Sequence, residues 1–578
     1  AARERALAAL GADAGAGVVG ALVLGERDDS FGPVYRVFQR AGVAHVLAVS
    51  GFHLALLCGL AAVVVRAAGD RARAETLAVL LVVGAVLVFV PARSPIVRAG
   101  VLVLALLLGD ALGRRWDRLA VLAWAGVGLV VWKPSEAASL GYILSVGVTA
   151  LLIALAERDR REHWWLIERQ RSRAPARVAG RWLWAGLRLN AACWAASSPT
   201  IIAATGVFSP VAPVATLVVV PVSGLLLAAG WAQAVLGVVW PSAAGRTAFM
   251  MDHAGAITGR IASWFDGLPG SSVLVVGVGW WWAAFATAGV LGWLFDRARR
   301  GLWVGALGLS AAYALAASVT AGRVGGLRAD MFDVGDGTSV LIRSGGEALL
   351  WDAGSLQREV GDRVADAIIA LGVRRVRTAV VTHPNLDHFN ALPVVAERLG
   401  LRLVLVSPGM VDGDEGGWGP VRDRLVAMGV EVRPVRRGDR FTLGPTGVEA
   451  LWPPETPPER LLANDRSVVA RFTAPGGGTL LMTGDVQRAG LAGLEAAGED
   501  LRALVLEAPH HGSAVPAAIG FVPRTGAAVV LQSTGPSRLN DERWGRVRAG
   551  VEWLSTAERG AVYAHVRPDG TVEAGPSR

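Results

Sequence analysis

The first 320 or so residues hold long apolar segments packed so closely that they can fold only as a bundle of hydrophobic helices, while the remainder of the chain lacks such segments. A membrane-spanning helix needs about 20 mainly apolar residues. Segments 43–65, 74–90, 95–112, 119–132, 139–156, 183–204, 207–222, 223–240, 272–294 and 302–320 meet or approach that length, several of them interrupted by Gly or Pro. They predict a polytopic α-helical membrane domain of about ten spans. Only 18% of the 578 residues are charged, against about 25% in an ordinary soluble protein.

Arginine placement predicts the orientation of the spans. Arg66, Arg71 and Arg73 follow the first, Arg114, Arg115 and Arg118 the third, residues 158–181 the fifth, and Arg297, Arg299 and Arg300 the ninth. With alternating spans these fall on one side, the cytoplasmic one by the positive-inside rule. The tenth span then delivers the C-terminal part to the outer face. Residues 1–40 read as an amphipathic region outside the bilayer, 41–320 as the transmembrane domain, and 241–271 within it as an interfacial amphipathic helix. Cys58 and Cys193 both lie in apolar segments without a CxxC pair, so neither a zinc-thiolate site nor a disulfide framework is expected. The net charge of +9 is almost entirely arginine; Lys133 is the only lysine. It precedes Pro134, which leaves no phosphate-binding G-x-x-x-x-G-K-[ST] loop, so any energy for transport comes from elsewhere.

From residue 329 to 578 the pattern is that of a layered α/β domain. Apolar strand-like runs recur at 378–382, 402–406, 479–482, 503–506 and 527–531, with helix-like stretches such as 361–371 and 419–428 between them. Three strand ends carry chemistry: His383-Pro-Asn-Leu-Asp387-His388, Thr483-Gly-Asp485, and His510-His511-Gly-Ser. Imidazole and carboxylate together suit zinc, manganese or iron. Asp333, Asp336 and Asp352 read as turn residues or as partners of ligands. Arg374, Arg375 and Arg377, with Arg433, Arg436, Arg437 and Arg440, read either as solvated surface or as holders of a phosphate backbone.

Within the helical part, His45-Val-Leu-Ala-Val-Ser50-Gly51-Phe52-His53 puts polar groups into an apolar segment. Such groups are costly at bilayer depth and normally face protein or a water-filled path. His45, Ser50 and His53, with Ser94 and Arg98 at the head of the third span, are the candidate channel-lining residues; the alternatives are an interfacial His45, a His53 bonded to a neighbouring helix and an Arg98 that snorkels.

The C-terminal part resembles the metallo-β-lactamase superfamily, whose core motif is H-x-H-x-D-H followed by a His, a Gly-Asp and a final His. The resemblance implies an αββα sandwich and a divalent ion, zinc or manganese. Asn385 stands at the second His position and no His lies between His388 and Asp485, so one well-formed site is expected, with a second ion in doubt. The expected metal residues are Asp387, His388, Asp485 and His510, with His383 nearby. Asp387, His388 and His511 are the expected catalytic residues, and a second ion would need substitute ligands, either Asn464 or Asp465 or water and substrate phosphate.

Taken together, the chain resembles the ComEC family of DNA-uptake proteins. The carrying residues are the stretch 45–53, Ser94 to Ala99, Pro134 to Ser145 with Tyr142, Asp333-Val-Gly-Asp336-Gly, His383-Pro-x-x-Asp387-His388, Thr483-Gly-Asp485 and Pro509-His-His-Gly-Ser513. Asp336 replaces a usual Gln, and an OB-like domain found in many members has no counterpart in this sequence. The resemblance implies passage of single-stranded DNA through the bacterial inner membrane and a nuclease on the outer face that degrades the other strand. A DNA receptor, a cytoplasmic ATP-driven translocase and homo-oligomerisation follow as expected partners. The residues alone leave open a transporter of another polyanion or lipid-linked product, and a hydrolase-like domain that binds without cleaving.

Overall fold

In the computed structural model, residues 2–10, 16–26, 31–69, 72–90, 94–114, 116–168, 175–357, 360–458, 461–539 and 541–577 are described. The chain divides into two units, Ala1–Leu315 and Ala316–Arg578.

Among the described residues fourteen helices come first: α1 (Ala2–Ala9), α2 (Ala16–Leu24), α3 (Phe31–Arg40), α4 (Ala44–Leu47), α5 (Gly51–Ala67), α6 (Ala72–Phe89), α7 (Ser94–Ala111), α8 (Arg118–Trp132), α9 (Leu140–Glu168), α10 (Pro175–Thr205), α11 (Ala212–Val239), α12 (Pro241–Asp266), α13 (Trp280–Phe295) and α14 (Arg300–Thr320). Three described segments are long and apolar enough to cross a membrane, Leu140–Arg158, Ala212–Val239 and Arg297–Thr320. Gly51–Ala67, Ile96–Gly109, Arg118–Trp132 and Trp280–Phe295 are apolar but shorter. Many large apolar side chains on these helices point outward, among them Val88, Val131, Leu225 and Leu309. Water would penalise that surface; lipid would not.

Three expectations are corrected in this unit. Segments 207–222 and 223–240 are not two spans but the single helix α11, which runs through Pro221. Burial of Ala215, Val219, Ser223, Leu226 and Leu227 along one side holds it together across the lost backbone donor. Segment 241–271 is not a separate interfacial helix. It forms α12, which turns back at Trp240 and packs along α11. A two-strand clip shows the return: β1 (Val207–Phe208), just before α11, pairs antiparallel with β2 (Val273–Leu274), just after α12. Ser209 Oγ donates to Ser271 O at 3.0 Å in the same place. Finally, residues 1–40 do not form a separate amphipathic region. α2 has no polar residue, and Val18, Val19 and Ala21 to Leu24 are at most 3% exposed in the core shared with α11 and α12. Arg40 ties α3 to the end of α12 through Asp266, with Nη2 to Oδ2 at 2.7 Å.

Close approach of α1 and α2 to α11 requires glycine. A Cβ on Gly237 would lie 2.4 Å from Ala9 Cβ, and one on Gly230 would lie 2.4 Å from Val23 Cγ2. Gly237→Val is therefore expected to destabilise the helical unit by about 1–3 kcal/mol. A lowered midpoint in thermal unfolding of the detergent-solubilised chain would show it; an unchanged midpoint would contradict this packing.

In the second unit two sheets face each other. The larger contains β3 (Val324–Met331), β4 (Ser339–Gly345), β5 (Glu347–Ala353), β6 (Thr378–Val381), β7 (Leu403–Val406) and β8 (Glu431–Pro434). The smaller contains β9 (Arg440–Leu443), β10 (Thr446–Trp452), β11 (Val469–Thr473), β12 (Thr479–Met482), β13 (Val505–Glu507), β14 (Val529–Gln532) and β15 (Glu552–Ser555). β16 (Val562–Val566) and β17 (Val572–Pro576) return to the larger sheet beside β3. The inner faces alternate into one core that includes Met331, Ile342, Trp351, Val380, Phe472, Met482, Val505 and Leu531. Helices α15 (Val360–Ala370), α16 (Leu392–Leu399) and α17 (Trp418–Ala427) accompany the larger sheet; α18 (Arg488–Ala496) and α19 (Pro516–Arg524) cover the smaller. This is the expected αββα sandwich. Strands β5 to β8 run parallel, as do β12 to β15. The loops after their carboxyl ends are the natural place for a site.

Candidate metal centre

Loops from both sheets meet at one point. The loop after β6 supplies His383, Asp387 and His388, the turn after β12 supplies Asp485, and the turn after β13 supplies His510 and His511. Asp485 Oδ2 is the hub. It lies 3.4 Å from His511 Nε2, 3.5 Å from His388 Nε2, 3.7 Å from His510 Nε2 and 3.8 Å from His383 Nε2. Asp387 Oδ2 stands 3.6 Å from His511 Nε2 and 3.9 Å from His388 Nε2. Two overlapping groups have metal-ligand proximity: His383, His388 and Asp485, and Asp387, His388 and His511.

Each of three imidazoles is held from outside by Nδ1 so that Nε2 points inward. His388 Nδ1–H donates to Asp352 Oδ2 at 2.8 Å. His511 Nδ1–H donates to the Ser533 carbonyl at 3.1 Å. His383 Nδ1 lies 3.0 Å from Thr382 Oγ1. His383 Nε2 is buried with no hydrogen-bond partner, and the Nε2 atoms of His388 and His511 face each other at 3.3 Å. Inward imidazole nitrogens, one of them orphaned, around two carboxylates form a donor set that fits a divalent cation.

The electrostatics follow from burial against charge. Burial pushes His383 down to about 3, with neighbouring His388 adding to it. Burial also acts to lower His511, but the Asp485 and Asp387 carboxylates outweigh it and hold it up at about 9. In His388 the same contest, with Asp485 and Asp352 on the raising side, leaves it well above the ordinary value. Burial acts to raise Asp485, yet His511 and His388 keep it well below the usual carboxylate range. Burial lowers His510.

One sequence-based assignment changes. His510, expected as a ligand, lies outside both metal-competent groups and has Nδ1 3.0 Å from Gln487 Nε2. His511, expected as a catalytic residue, stands with Asp387 and His388 in one of them. The backbone makes the choice: His510 and His511 both adopt left-handed conformations, φ 49° and 55°, followed by Gly512 at 75°. Non-glycine residues rarely do so, and here Gln532 Nε2 donates to His511 O at 3.0 Å to hold the turn. His511→Ala is expected to weaken cation binding at least about tenfold more than His510→Ala, by chelator competition. Equal losses would contradict the geometry.

The proposed substitutes for missing ligands are occupied otherwise. Asn464 Oδ1 accepts from Asn385 Nδ2 at 3.1 Å. Asp465 accepts from the backbone of Gln487 and Gly490. Asp352 is the partner of His388 and also accepts from Thr382 N and Oγ1, both at 2.8 Å. Its φ of 53° is the strained backbone that aims it. Sequence reasoning did not single out Glu507, which accepts from Thr483 N and Gly484 N at 2.8 Å and so fixes the turn carrying Asp485. Arg433, Arg436, Arg437 and Arg440 are paired with Glu431, Glu455, Glu499 and Glu449, so they are not a free phosphate cradle. Arg374, Arg375 and Arg377 precede β6, at the end of the sheet opposite the cluster.

Among the candidate channel residues, Ser50 and His53 form a capping pair at the start of α5, with Ser50 N donating to His53 Nδ1 at 3.0 Å. Gly51 abuts α7 beside Arg98: a Cβ there would lie 3.2 Å from Ala99 Cβ. Arg98 is buried, donates from Nη2 to Gly141 O at 3.2 Å, and lies over the Tyr142 ring. The three sequence elements around 50, 98 and 141 are thus brought together. His45, on α4, is exposed, and the side chain of Ser94 lies outside the described residues.

Comparison with known proteins places both units. Residues 22–300 match the family described as Competence protein, and residues 332–519 match the Metallo-beta-lactamase superfamily. ComE operon protein 3 of Bacillus subtilis (strain 168) is 25% identical over 202 residues, covering 32% of this chain and 25% of that protein. Competence protein ComA of Neisseria gonorrhoeae is 27% identical over 239 residues, covering 40% of this chain and 31% of that protein. The matched part thus spans between a quarter and a third of these relatives' own length. Among solved structures, the metallo-beta-lactamase fold protein YhfI from Bacillus subtilis is 14% identical with a TM-score of 0.28, covering 43% of this chain and 100% of that one. A diphosphatase of the PhnP family is 15% identical with a TM-score of 0.27, covering 43% and 98%. The fold assignment rests on the two sheets and the family match, not on these structural likenesses.

Proposed function

For a chain that belongs to the ComEC family, with a competence-protein domain joined to a metallo-β-lactamase domain, we propose import of one DNA strand across the bacterial inner membrane and hydrolysis of the other strand by the outer C-terminal domain. The observation that carries the hydrolytic half is the convergence of four imidazole nitrogens on Asp485 Oδ2 within 3.8 Å.

His383, Asp387, His388, Asp485 and His511 are the residues that would hold a divalent ion, zinc or manganese. When bound, such an ion acidifies water and neutralises charge developing on a phosphoryl oxygen. Asp352 keeps the His388 proton on Nδ1 and its Nε2 directed inward. Asp387 is the most open carboxylate, with 21% of its side chain exposed, and is placed to take the proton from water attacking phosphorus. Neutral His510 stands at the rim.

For the membrane half, α5 to α14 are proposed as ten crossings. α12 is proposed in place of the span lost by fusion into α11, which keeps the proposed count even and the C-terminal domain on the proposed outer face. Ser50, His53 and Arg98, with Ser94 and His45, are proposed to line the strand's path. A DNA receptor and an ATP-driven translocase are the proposed partners.

The test is cleavage of end-labelled DNA by the full chain in nanodiscs, with metal content measured in parallel. Asp387→Ala with His388→Ala is expected to reduce cleavage at least about a hundredfold. Unchanged cleavage would falsify the site assignment. Full metal content without cleavage in the native chain would favour a domain that binds only, a reading that Asn385 at a family histidine position supports.

A further inference from the structure

Arg246, His253 and Arg260 stand seven residues apart on α12, and all three are exposed. The opposite face, with Ala244, Met251, Thr258 and Phe265 at the same spacing, is buried. Seven residues are nearly two helical turns, so the basic groups form one column with steps of about 10.5 Å. His253 is at the middle of the helix. Its Nδ1 bonds the Phe249 carbonyl at 2.8 Å, which leaves Nε2 outward. Asp266 is engaged by Arg40, and Asp252 is half-buried on the neighbouring face. Neither Arg246 nor Arg260 has an acidic partner among the described residues.

The clip of β1 on β2 and the packing along α11 fix the depth of this column. α11 is one of the segments apolar enough to cross a membrane, and α12 accompanies it from end to end. If α11 crosses, Arg246 and Arg260 lie about 10 Å on either side of His253, inside a hydrocarbon layer about 30 Å thick. Helical side chains lean toward the helix N-terminus, so Arg260 leaves the backbone toward the middle of the layer, away from its nearer end. The same lean carries Arg246 toward its nearer interface, but His253 and Arg260 at those depths are costly against acyl chains, and lipid headgroups do not reach the central one.

We propose that this face of α12 lines a water-filled path and holds the sugar-phosphate backbone of a single nucleic-acid strand, Arg246 and Arg260 each meeting a phosphate. Phe249 and Trp264, 61% and 63% exposed beside the column, give the bases flat surfaces to lie against. The inference rests on the strand-import reading and deepens it by naming the helix face that meets the strand.

The experiment uses the full chain with Cys58→Ala and Cys193→Ala, in phosphatidylcholine nanodiscs. A His253→Cys variant is treated with a charged methanethiosulfonate reagent. Separately, binding of a fluorescent 20-nucleotide oligothymidylate and of inorganic polyphosphate is followed against salt for the native chain, for Arg246→Gln with Arg260→Gln, and for Arg374→Gln with Arg375→Gln as a control of equal charge. The expected results are a reactive thiol at position 253 that oligothymidylate protects, and a slope of log affinity on log salt about 1.4 less steep for the α12 pair, with the control unchanged. An unreactive thiol, a disulfide joining the introduced thiols of two chains, or equal slopes in both double variants would overturn the proposal. If polyphosphate binds with the α12-dependent slope and oligothymidylate does not bind at all, the column stands as a polyanion path and the DNA reading falls instead.

Discussion

Asp485→Ala is expected to leave the C-terminal domain unable to hold a divalent cation and to abolish the proposed hydrolysis. No other carboxylate among the described residues approaches so many imidazole nitrogens, since its Oδ2 lies between 3.4 and 3.8 Å from His511, His388, His510 and His383. Without it one metal-competent group loses its carboxylate, and His388 and His511, facing each other at 3.3 Å, keep only Asp387, 3.6 and 3.9 Å from His511 and His388 Nε2, to balance their charge. Affinity and cleavage should each fall at least about a hundredfold. Asp485→Asn keeps the size of the side chain and should lose as much, which separates the role of the charge from any effect on folding. Metal analysis of both purified variants decides the matter: retention of the native metal content by either would show that the hub is not a ligand.

The second large effect concerns pH. Without a cation His511 is held up at about 9 and His388 well above its ordinary value. Both therefore carry an Nε2 proton at pH 7, where a metal ligand must offer a lone pair. A cation has to displace two protons, so its apparent affinity should rise with pH, by up to about a hundredfold per unit while both remain protonated, and more gently above about 9, where His511 has lost its proton. Asp485 is ionised throughout and contributes no slope. The sign for folding is opposite. In the cation-free protein the imidazolium–carboxylate contacts add stability that is complete below the unfolded histidine value of about 6.5 and is lost as pH rises through about 9. Chelator competition between pH 7 and 9, with calorimetry in buffers of different ionisation enthalpy to count protons, measures both. A flat affinity across that interval would refute the protonation assignment.

Much of the site was readable from the chain because its signals are local. His383, Asp387 and His388 follow an apolar strand run within six residues, and Thr-Gly-Asp485 and His-His-Gly-Ser mark two further strand ends. The choice between His510 and His511 was not readable. It is made by a left-handed backbone, the Gln532 amide and the Ser533 carbonyl, more than twenty residues downstream. Asp352 was legible as a turn residue or a partner of a ligand, but not which ligand it serves, because His388 lies 36 residues away on the neighbouring strand's loop. In the helical unit hydropathy located α11 but cut it in two, since Pro221 reads as a break until burial on one side is known. The charges of α12 made a helix that its neighbour holds in place read as an interfacial one, and the placement of the N-terminal 40 residues was not legible because α2 is short and only its packing shows where it belongs.

The closed mouth of the α11–α12 hairpin bears on biogenesis. α12 carries too many ionisable groups to leave the translocon for lipid alone, whereas α11, long and apolar enough to cross a membrane, partitions readily. Synthesis delivers α11 first, and α12 then folds back along a partner already in the bilayer, so its polar face need never be solvated by lipid. Gene order here does the work of a chaperone: exchanging the two helices would present the ribosome with a segment that has nowhere to go.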